Sequence, residues 1–212
     1  PAIISMTVAS SYNLVDAIFV GKLGPSALAA MSTTFPLTLS FIAIASGTAM
    51  GVTSLIARNL GTGDNENADR TASVAITLCF LLSSIILAIC LPVLNSMLRA
   101  LGASGEVLQL ARSYMFILIV FNVFSYLSLV LASIIRADGN PVFSSSISIS
   151  TAFLNIALDP VFIFGFGPVP AFGIQGAAIA TVIAQATGTA VFLFHIISGR
   201  TGYKFRPEYF LP

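Results

Sequence analysis

Long apolar stretches, separated by short charged or glycine-rich segments, run through the whole chain. Each stretch is long enough to cross a bilayer as a helix, which takes about 20 residues. The pattern therefore predicts an all-α integral membrane protein, a bundle of six transmembrane helices. These predicted helices span residues 1–21, 26–58, 67–91, 105–135, 141–166 and 174–198.

Two of the predicted helices have unusual features. The second is longer than one membrane span and contains Pro36, Gly47 and Gly51. We expect it to be tilted or bent, with Gly47-x-x-x-Gly51 permitting close helix contact. The connection after the third helix, 92–105, leaves room for a short interfacial helix at about 94–101.

The composition restricts the class of protein. The chain is 57% hydrophobic and 8% charged, whereas soluble domains carry about 25% charged residues. These values exclude a soluble globular domain, and a net charge of +1 gives no reason to expect a nucleic-acid partner. The first residue is a proline rather than a methionine, which indicates a piece of a longer protein.

Basic residues predict the orientation in the membrane. If residue 1 is inside, the inner segments carry Arg58, Arg70, Arg136, Arg200, Lys204 and Arg206. The outer side carries Lys22, Arg99 and Arg112. The positive-inside rule therefore places the amino terminus and the tail 199–212 in the cytoplasm. Arg112 lies early in the fourth helix, where it either snorkels outward or pairs inside the bundle.

The most informative stretch is Asn155-Ile-Ala-Leu-Asp159-Pro160 in the fifth predicted helix. An ionisable residue inside a membrane helix is energetically costly and points to function. Because Pro160 has no N–H, the carbonyl of Ile156 loses its helical partner and the helix bends. A carboxylate, a freed carbonyl and a kink on one turn predict a cation or proton site with Pro160 as a hinge.

Helix lengths place further polar residues at the level of this carboxylate. Asp16 is six residues before Lys22, about 9 Å below the outer surface. Asp159 and Thr181 are each seven residues from the nearest predicted outer helix end, about 10 Å deep. Asn155 lies one turn deeper on the face of Asp159. We therefore predict that two carboxylates meet, where they cannot both stay charged without a shared proton or cation.

A polar stripe continues from this site toward the other end of the fifth helix. Its members recur at helical spacing and are Ser144, Ser148, Thr151, Asn155 and Asp159. The stripe favours a wet cavity because it ends on a charge, whereas close packing by small side chains is the alternative. Thr181, Gln185 and Thr189 form a similar series on the last helix.

Three aromatic side chains have less certain roles. Tyr12 and Tyr114 either line the cavity or pack in the bundle. His195 lies near the end of the last helix, where we expect it at the lipid headgroups.

Two membrane carboxylates also suggest an intramembrane aspartyl protease. This is a remote alternative, because the residues before Asp159 are Ala157-Leu158 rather than the Gly-x-Gly expected of such proteases. A silent membrane scaffold would leave both carboxylates unexplained.

Several motifs together resemble the MATE (multidrug and toxic compound extrusion) transporters. They occur in order along nearly the whole chain. They are Tyr12-Asn-Leu-Val-Asp16-Ala-Ile-Phe-Val-Gly21-x-Leu-Gly24, Ala27-Leu-Ala-Ala30, Ile56-Ala-Arg58-Asn-Leu-Gly61, Arg136-Ala-Asp-Gly139, Asn155-x-x-x-Asp159-Pro160-x-Phe162 and Gly176-Ala-Ala-Ile-Ala-Thr181. The two membrane aspartates are typical of the DinF-like prokaryotic branch, which implies a multi-pass protein of the prokaryotic cell membrane.

The resemblance implies a fold and an activity. The family builds two six-helix lobes around a central cavity, and this chain resembles the amino-terminal lobe, with 199–212 as the inter-lobe linker. A second lobe, absent here, is an expected partner. The implied activity is secondary active efflux of amphipathic or cationic compounds in exchange for H⁺ or Na⁺. This is a transporter rather than an enzyme. A related lipid or lipid-linked oligosaccharide flippase is the alternative.

The resemblance also assigns residues. The cation or proton site would consist of Asp16, Asn155, Asp159 and Thr181, with Tyr12 and Tyr114 in the same polar network. No cofactor and no metal are implied beyond Na⁺ at the two aspartates. The connection 165–173, which contains Pro168 and Pro170, is longer than is usual in the family.

Overall fold

The structure is a computed structural model that describes residues 14–198. Residues 14–21 are helical and are called α1. The helices that follow are α2 (Pro25–Gly61), α3 (Asn65–Ala100), α4 (Gly105–Val120), α5 (Asn122–Ala137), α6 (Pro141–Phe164) and α7 (Ile174–Ile197). Within 14–198 the only β-type pairing is one isolated bridge between Phe166 and Val169.

Apolar length confirms a membrane bundle. Helices α2, α3, α6 and α7 are each long and apolar enough to cross a bilayer, and α4 with α5 forms a bent fifth span. The all-α class is therefore confirmed. Of the predicted first helix, residues 1–13 lie outside the part of the chain that the structure describes.

The turns alternate between two ends of the bundle. The α1–α2 end holds the turns at 22–24 and 101–104 and the connection 165–173, and the α2–α3 end holds those at 62–64 and 138–140. At the first end, the Ser26 hydroxyl donates a 2.7 Å hydrogen bond to Glu106 Oε2. At the second, the Asp64 side chain caps α3 by accepting from the backbone N–H of Asn67 at 3.1 Å. Hydrogen bonds from the Asn67 side chain and backbone lower the pKa of Asp64.

The third helix is longer than predicted. It continues through Pro92 as far as Ala100, so the expected separate interfacial helix at 94–101 is not formed. Leu94 and Leu98 are buried and keep the apolar stripe continuous past the proline. The helix ends before Gly102, which adopts a φ of 95° that favours glycine. The prediction ended the helix too early because it treated the proline as a stop.

The expected close contact at Gly47 and Gly51 is also wrong for the described helices. Both glycines are exposed on α2, and a Cβ built on either meets no atom within 4 Å. Instead, α2 packs against α3, α4 and α5 through its other face, on which Ala45, Ala49 and Val52 are buried.

The fourth predicted helix, 105–135, is broken at Phe121. Its two halves, α4 and α5, meet at an angle of 52°. The Asn122 side chain donates a 2.8 Å hydrogen bond to the carbonyl of Ile119, which in an uninterrupted helix accepts from the backbone N–H of Val123. Such competition by a short polar side chain bends helices. The sequence analysis had treated the apolar run around Asn122 as one uninterrupted helix.

The break coincides with a division of the core into two hydrophobic clusters. The cluster at the α1–α2 end includes Met115 and Ile119 of α4, whereas the cluster at the α2–α3 end includes Val130 and Leu131 of α5. Neighbouring helices brace the start of α5 at this level. Tyr126 Oη donates a hydrogen bond to the carbonyl of Phe41 on α2 at 3.1 Å. A side chain of α7 donates a hydrogen bond to a backbone carbonyl of α5, and a side chain of α5 donates one to a backbone carbonyl of α3.

Asn122→Leu should straighten this span. Without the amide, the carbonyl of Ile119 is free for the ordinary helical bond. We expect the distance between spin labels at Gln109→Cys and Ser125→Cys to lengthen in the variant. The measurement needs a background in which Cys79 and Cys90 are replaced by alanine.

The matched control for this experiment is Asn95→Leu, an exposed asparagine on α3. It should leave the distance between the two labels unchanged. An unchanged distance in Asn122→Leu as well would show that the Asn122 amide does not cause the bend.

Candidate functional site

The site is built where α6 and α7 pack together, the most extensive helix contact in the structure. Gly176 of α7 lies directly on the backbone of α6, because a Cβ built there would collide with the carbonyl group of Phe162. The chain just before α7 is also bonded to this point. The N–H of Phe172 donates to the carbonyl of Phe162 at 3.0 Å, and that of Gly173 to the carbonyl of Ile163 at 3.1 Å. The start of α7 is thereby fixed against the turn that follows Pro160.

This packing brings three of the predicted site residues into one hydrogen-bonded chain. Asn155 Nδ2 donates to Asp159 Oδ1 at 3.4 Å and to Thr181 Oγ1 at 3.3 Å. The Thr181 hydroxyl in turn donates to the carbonyl of Ala177 at 3.0 Å. Asp159 is 0% exposed and Asn155 3% exposed. The chain of bonds thus links a fully buried carboxylate on α6 to a side chain on α7.

The second carboxylate approaches from α1. Asp16 is 3% exposed, and it is close enough to Asp159 for the two carboxylates to repel each other electrostatically. The rings of Phe19 and Phe164 meet edge to face with centroids 6.3 Å apart, which packs α1 against the end of α6. The fold thus packs α1, which carries the buried Asp16, against the end of α6, and the sharing of one site by Asp16 and Asp159 stays a prediction.

Three buried oxygen atoms of this group have no hydrogen-bond partner among residues 14–198. They are Asp16 Oδ1, Asn155 Oδ1 and Asp159 Oδ2. Buried polar atoms in proteins are nearly always paired, and each of these oxygens is free to accept from a donor other than the residues at 14–198. Carboxylate and amide oxygens suit a proton or a hard cation. Within the same residues there is no group of three or more His, Cys, Asp and Glu that would hold another metal.

Comparison with known proteins gives the family. The sequence model of the MatE family matches residues 1–161, about three quarters of the chain. The chain belongs to the MatE family. It is similar to a FAD transporter of Shewanella oneidensis, with 34% identity over 87% of this chain and 41% of the relative. It is also similar to the multidrug export protein MepA of Staphylococcus aureus, with 28% identity over 93% of this chain and 43% of the relative.

Solved structures agree with this assignment. A multidrug resistance MATE family transporter in an outward-facing conformation matches with a TM-score of 0.90 and 34% identity. A MOP superfamily transporter from Pyrococcus furiosus, described as having a binding pocket of reverse polarity, matches with a TM-score of 0.91 and 34% identity. Each match covers 99% of this chain and 46% of the other. The chain therefore spans less than half the length of these MatE relatives.

The polar stripe on α6 is packed against other helices at the α2–α3 end of the bundle, where α6 begins. Ser144 is fully buried; its hydroxyl donates to the carbonyl of Ala132 at 2.8 Å and accepts from Arg136 at 3.2 Å. The cavity interpretation is therefore wrong for Ser144. The Thr151 hydroxyl lies 2.7 Å from a Cβ built on Gly188, so Thr151 packs against α7. Thr151, Ser148 and Gln185 are half-buried, and their predicted cavity-lining role stays a prediction.

The structure places the remaining predicted residues as follows. Tyr12 lies outside the described residues. Tyr114 is buried in the cluster at the α1–α2 end, and its role in the polar network stays a prediction. His195 stacks on Phe143 with ring centroids 4.0 Å apart and is buried. The expected headgroup position of His195 is therefore wrong, because the contact between α6 and α7 extends to the last turn of α7.

The structural roles of two residues were missed from the sequence. Gly176 sets the approach of α7 to α6, and Asn122 sets the bend between α4 and α5. A signal for Asn122 exists, because it is a lone amide in the middle of an apolar run. Gly176 begins one of the family motifs, but that motif does not show which glycine touches a backbone, and Gly47 and Gly51 touch nothing within 4 Å.

Proposed function

We propose that this chain is one lobe of a secondary active transporter that exports amphipathic or cationic compounds in exchange for H⁺ or Na⁺. The observation that carries the proposal is the burial of Asp16 and Asp159, each with a carboxylate oxygen that has no hydrogen-bond partner among residues 14–198. A second six-helix lobe completes the central cavity, and residues 199–212 link the lobes. The transporter lies in the prokaryotic cell membrane with the amino terminus of this chain in the cytoplasm.

The coupling ion acts on the repulsion between the two carboxylates. An empty site holds like charges in a low-dielectric interior, which is costly. A proton or Na⁺ removes this cost and draws α1 toward α6. Because Asp159 is followed by Pro160, the bend of α6 is the element that responds.

Ion and substrate then compete through one conformational equilibrium. The loaded site favours the bend that releases substrate outside, whereas the bound substrate favours the other state. Coupling of this kind is reciprocal and needs only that each ligand prefer a different state. Asn155 and Thr181 transmit the change to α7 because they form the hydrogen-bonded chain from Asp159.

A second substrate class is favoured by one relative. The FAD transporter of Shewanella oneidensis is more similar in sequence to this chain than MepA, at 34% against 28% identity. Export of a flavin nucleotide is therefore the second candidate function. Flavin export would use the same ion site, because that site lies within this lobe and does not depend on which substrate the central cavity binds.

The test uses the full-length protein in proteoliposomes. A fluorescent organic cation and FAD are offered separately, and a pH or Na⁺ gradient is imposed. We expect gradient-driven movement of the cation against the ion flux. Movement of FAD alone would favour the second candidate, and movement of neither under both gradients would contradict the proposal.

Thr181→Val should weaken ion binding without abolishing transport. The variant removes the hydroxyl that accepts from Asn155 and so frees the amide to turn away from Asp159. One hydrogen bond contributes about 0.5–1.5 kcal/mol, so the ion concentration for half-maximal transport should rise by about threefold to tenfold.

The matched control is Thr187→Val on the same helix. Its hydroxyl bonds only to the backbone of its own helix and is exposed. Transport by this variant should match the wild type at every ion concentration. The same ion dependence of transport in the two variants would show that Thr181 does not contribute to ion binding.

A further inference from the structure

A separate groove lies on the outside of the bundle, between α4 and the start of α7. It is open, has a volume of about 470 Å³, and contains none of the residues of the aspartate site. Its lining residues are Gln109, Arg112, Ser113, Phe116, Ile117 and Gln175. The five on α4 recur at helical spacing and form one face of that helix.

The polarity of the groove changes with depth. Both α4 and α7 begin at the α1–α2 end of the bundle. The polar side chains lie within about 12 Å of the first residue of α4, whereas Phe116 and Ile117 lie about 17 Å along it. Amides and a guanidinium therefore precede an aromatic and an aliphatic side chain. A phospholipid has the same order, with a polar headgroup and phosphate above an acyl chain.

The groove also carries a positive charge, and none of its lining residues within 14–198 is acidic. Arg112 is exposed, which settles the sequence ambiguity in favour of an outward orientation, and no carboxylate lines the groove. The nearest acid on the same helix, Glu106, lines a different groove and accepts from Ser26. Guanidinium groups bind phosphate oxygens in a bidentate manner, and the neighbouring amides offer further donors.

We propose that this groove binds a phospholipid of the bilayer, with the phosphate on Arg112 and an acyl chain against Phe116 and Ile117. A free inorganic anion would contact only the polar half of the groove, near the start of α4. A neutral lipid would leave the guanidinium without its counter-ion. The phospholipid alone matches both halves.

Lipid quenching of a single tryptophan tests the proposal, because this chain contains no tryptophan. The full-length protein with Phe116→Trp is placed in phosphate-free vesicles of digalactosyldiacylglycerol. Brominated phosphatidylglycerol or brominated digalactosyldiacylglycerol is added at equal mole fraction. The signal is the difference between proteins with and without Phe116→Trp. We expect stronger quenching by the phosphate-bearing lipid.

Substitutions of Arg112 assign this selectivity to the guanidinium. Arg112→Gln should reduce the preference for phosphatidylglycerol by about threefold to tenfold, the net worth of one ordinary hydrogen bond at an exposed site. Arg112→Lys should keep part of it, because the charge remains. Arg99→Gln, an exposed arginine in the last turn of α3 at the same end, should leave it unchanged.

Four results would overturn the proposal. The first is equal quenching by the two brominated lipids, and the second is a preference that survives Arg112→Gln. Loss of the preference in excess inorganic phosphate would assign the site to a free anion. The absence of quenching by either lipid would show that protein, such as a second lobe, covers the groove.

Discussion

Asp159→Asn should uncouple transport from the ion gradient in the full-length protein. The variant keeps the shape of the side chain but removes the charge that a proton or Na⁺ would neutralise. Coupling free energies between two sites are typically worth 5–150-fold, and we expect gradient-driven efflux to fall by about that factor. The measurement is efflux of a fluorescent cation at equal membrane expression, with and without the imposed gradient.

Protein stability separates this effect from misfolding. Asp159 is fully buried beside a second carboxylate, so removing its charge also removes a repulsion. The thermal unfolding temperature of Asp159→Asn should therefore be unchanged or raised while coupling is lost. Asp64→Asn is the matched control, because Asp64 lies in the α2–α3 turn and asparagine also caps helices. Wild-type gradient dependence in Asp159→Asn would end the coupling proposal.

A double-mutant cycle extends this test to Asp16. If the carboxylates act as one site, Asp16→Asn alone should cause a similar loss. Adding Asp159→Asn should then cost little more, because neighbouring residues of one site are not additive. Additive losses would indicate two independent sites.

Gly176→Ala should cause the largest loss of stability of any glycine-to-alanine change within residues 14–198. The new Cβ would collide with the carbonyl group of Phe162 and lie 2.7 Å from the backbone nitrogen of Ile163. Backbone atoms cannot rotate away, so α7 must separate from α6. Overpacking of this kind costs about 1–3 kcal/mol, and the unfolding temperature should fall by several degrees.

Two other glycines provide graded controls for this prediction. At Gly188 the obstacle is the side chain of Thr151, which can rotate, so Gly188→Ala should cost less. At Gly61 no atom lies within 4 Å of the added Cβ, so Gly61→Ala should be close to neutral. The unfolding temperature should be highest for Gly61→Ala, lower for Gly188→Ala and lowest for Gly176→Ala. Any other order would contradict this explanation. Gly176→Ala should also weaken ion binding, because it displaces Thr181 from Asn155.

Prolines and the lone asparagine show where sequence reasoning was limited. Pro36 and Pro92 lie inside α2 and α3, although proline usually ends helices in water. In a membrane the backbone has no water to bond, so a helix continues past a proline rather than unwind. Asn122 breaks a helix for the opposite reason, because its amide offers the backbone a substitute partner within the bilayer.

The depth of the site could be predicted because the rise of a helix is fixed. Counting residues from the ends of three helices placed Asp16, Asp159 and Thr181 at one level, and in the fold a hydrogen-bonded chain through Asn155 joins Asp159 to Thr181. The direction of a side chain around its helix is a weaker inference. His195 and Ser144 therefore turned out to be buried between helices, where the sequence had suggested lipid headgroups or a cavity.

The sequence by itself determined the membrane class, the apolar stretches and the candidate carboxylates. Apolar length and the cost of burying charge act locally, residue by residue along one helix. Within residues 14–198, only the tertiary structure decided which buried oxygens lack a partner, which glycine touches a backbone and which face of α4 carries an exposed arginine. These depend on how far apart two helices pack and how each is rotated, and many distant contacts together set that geometry.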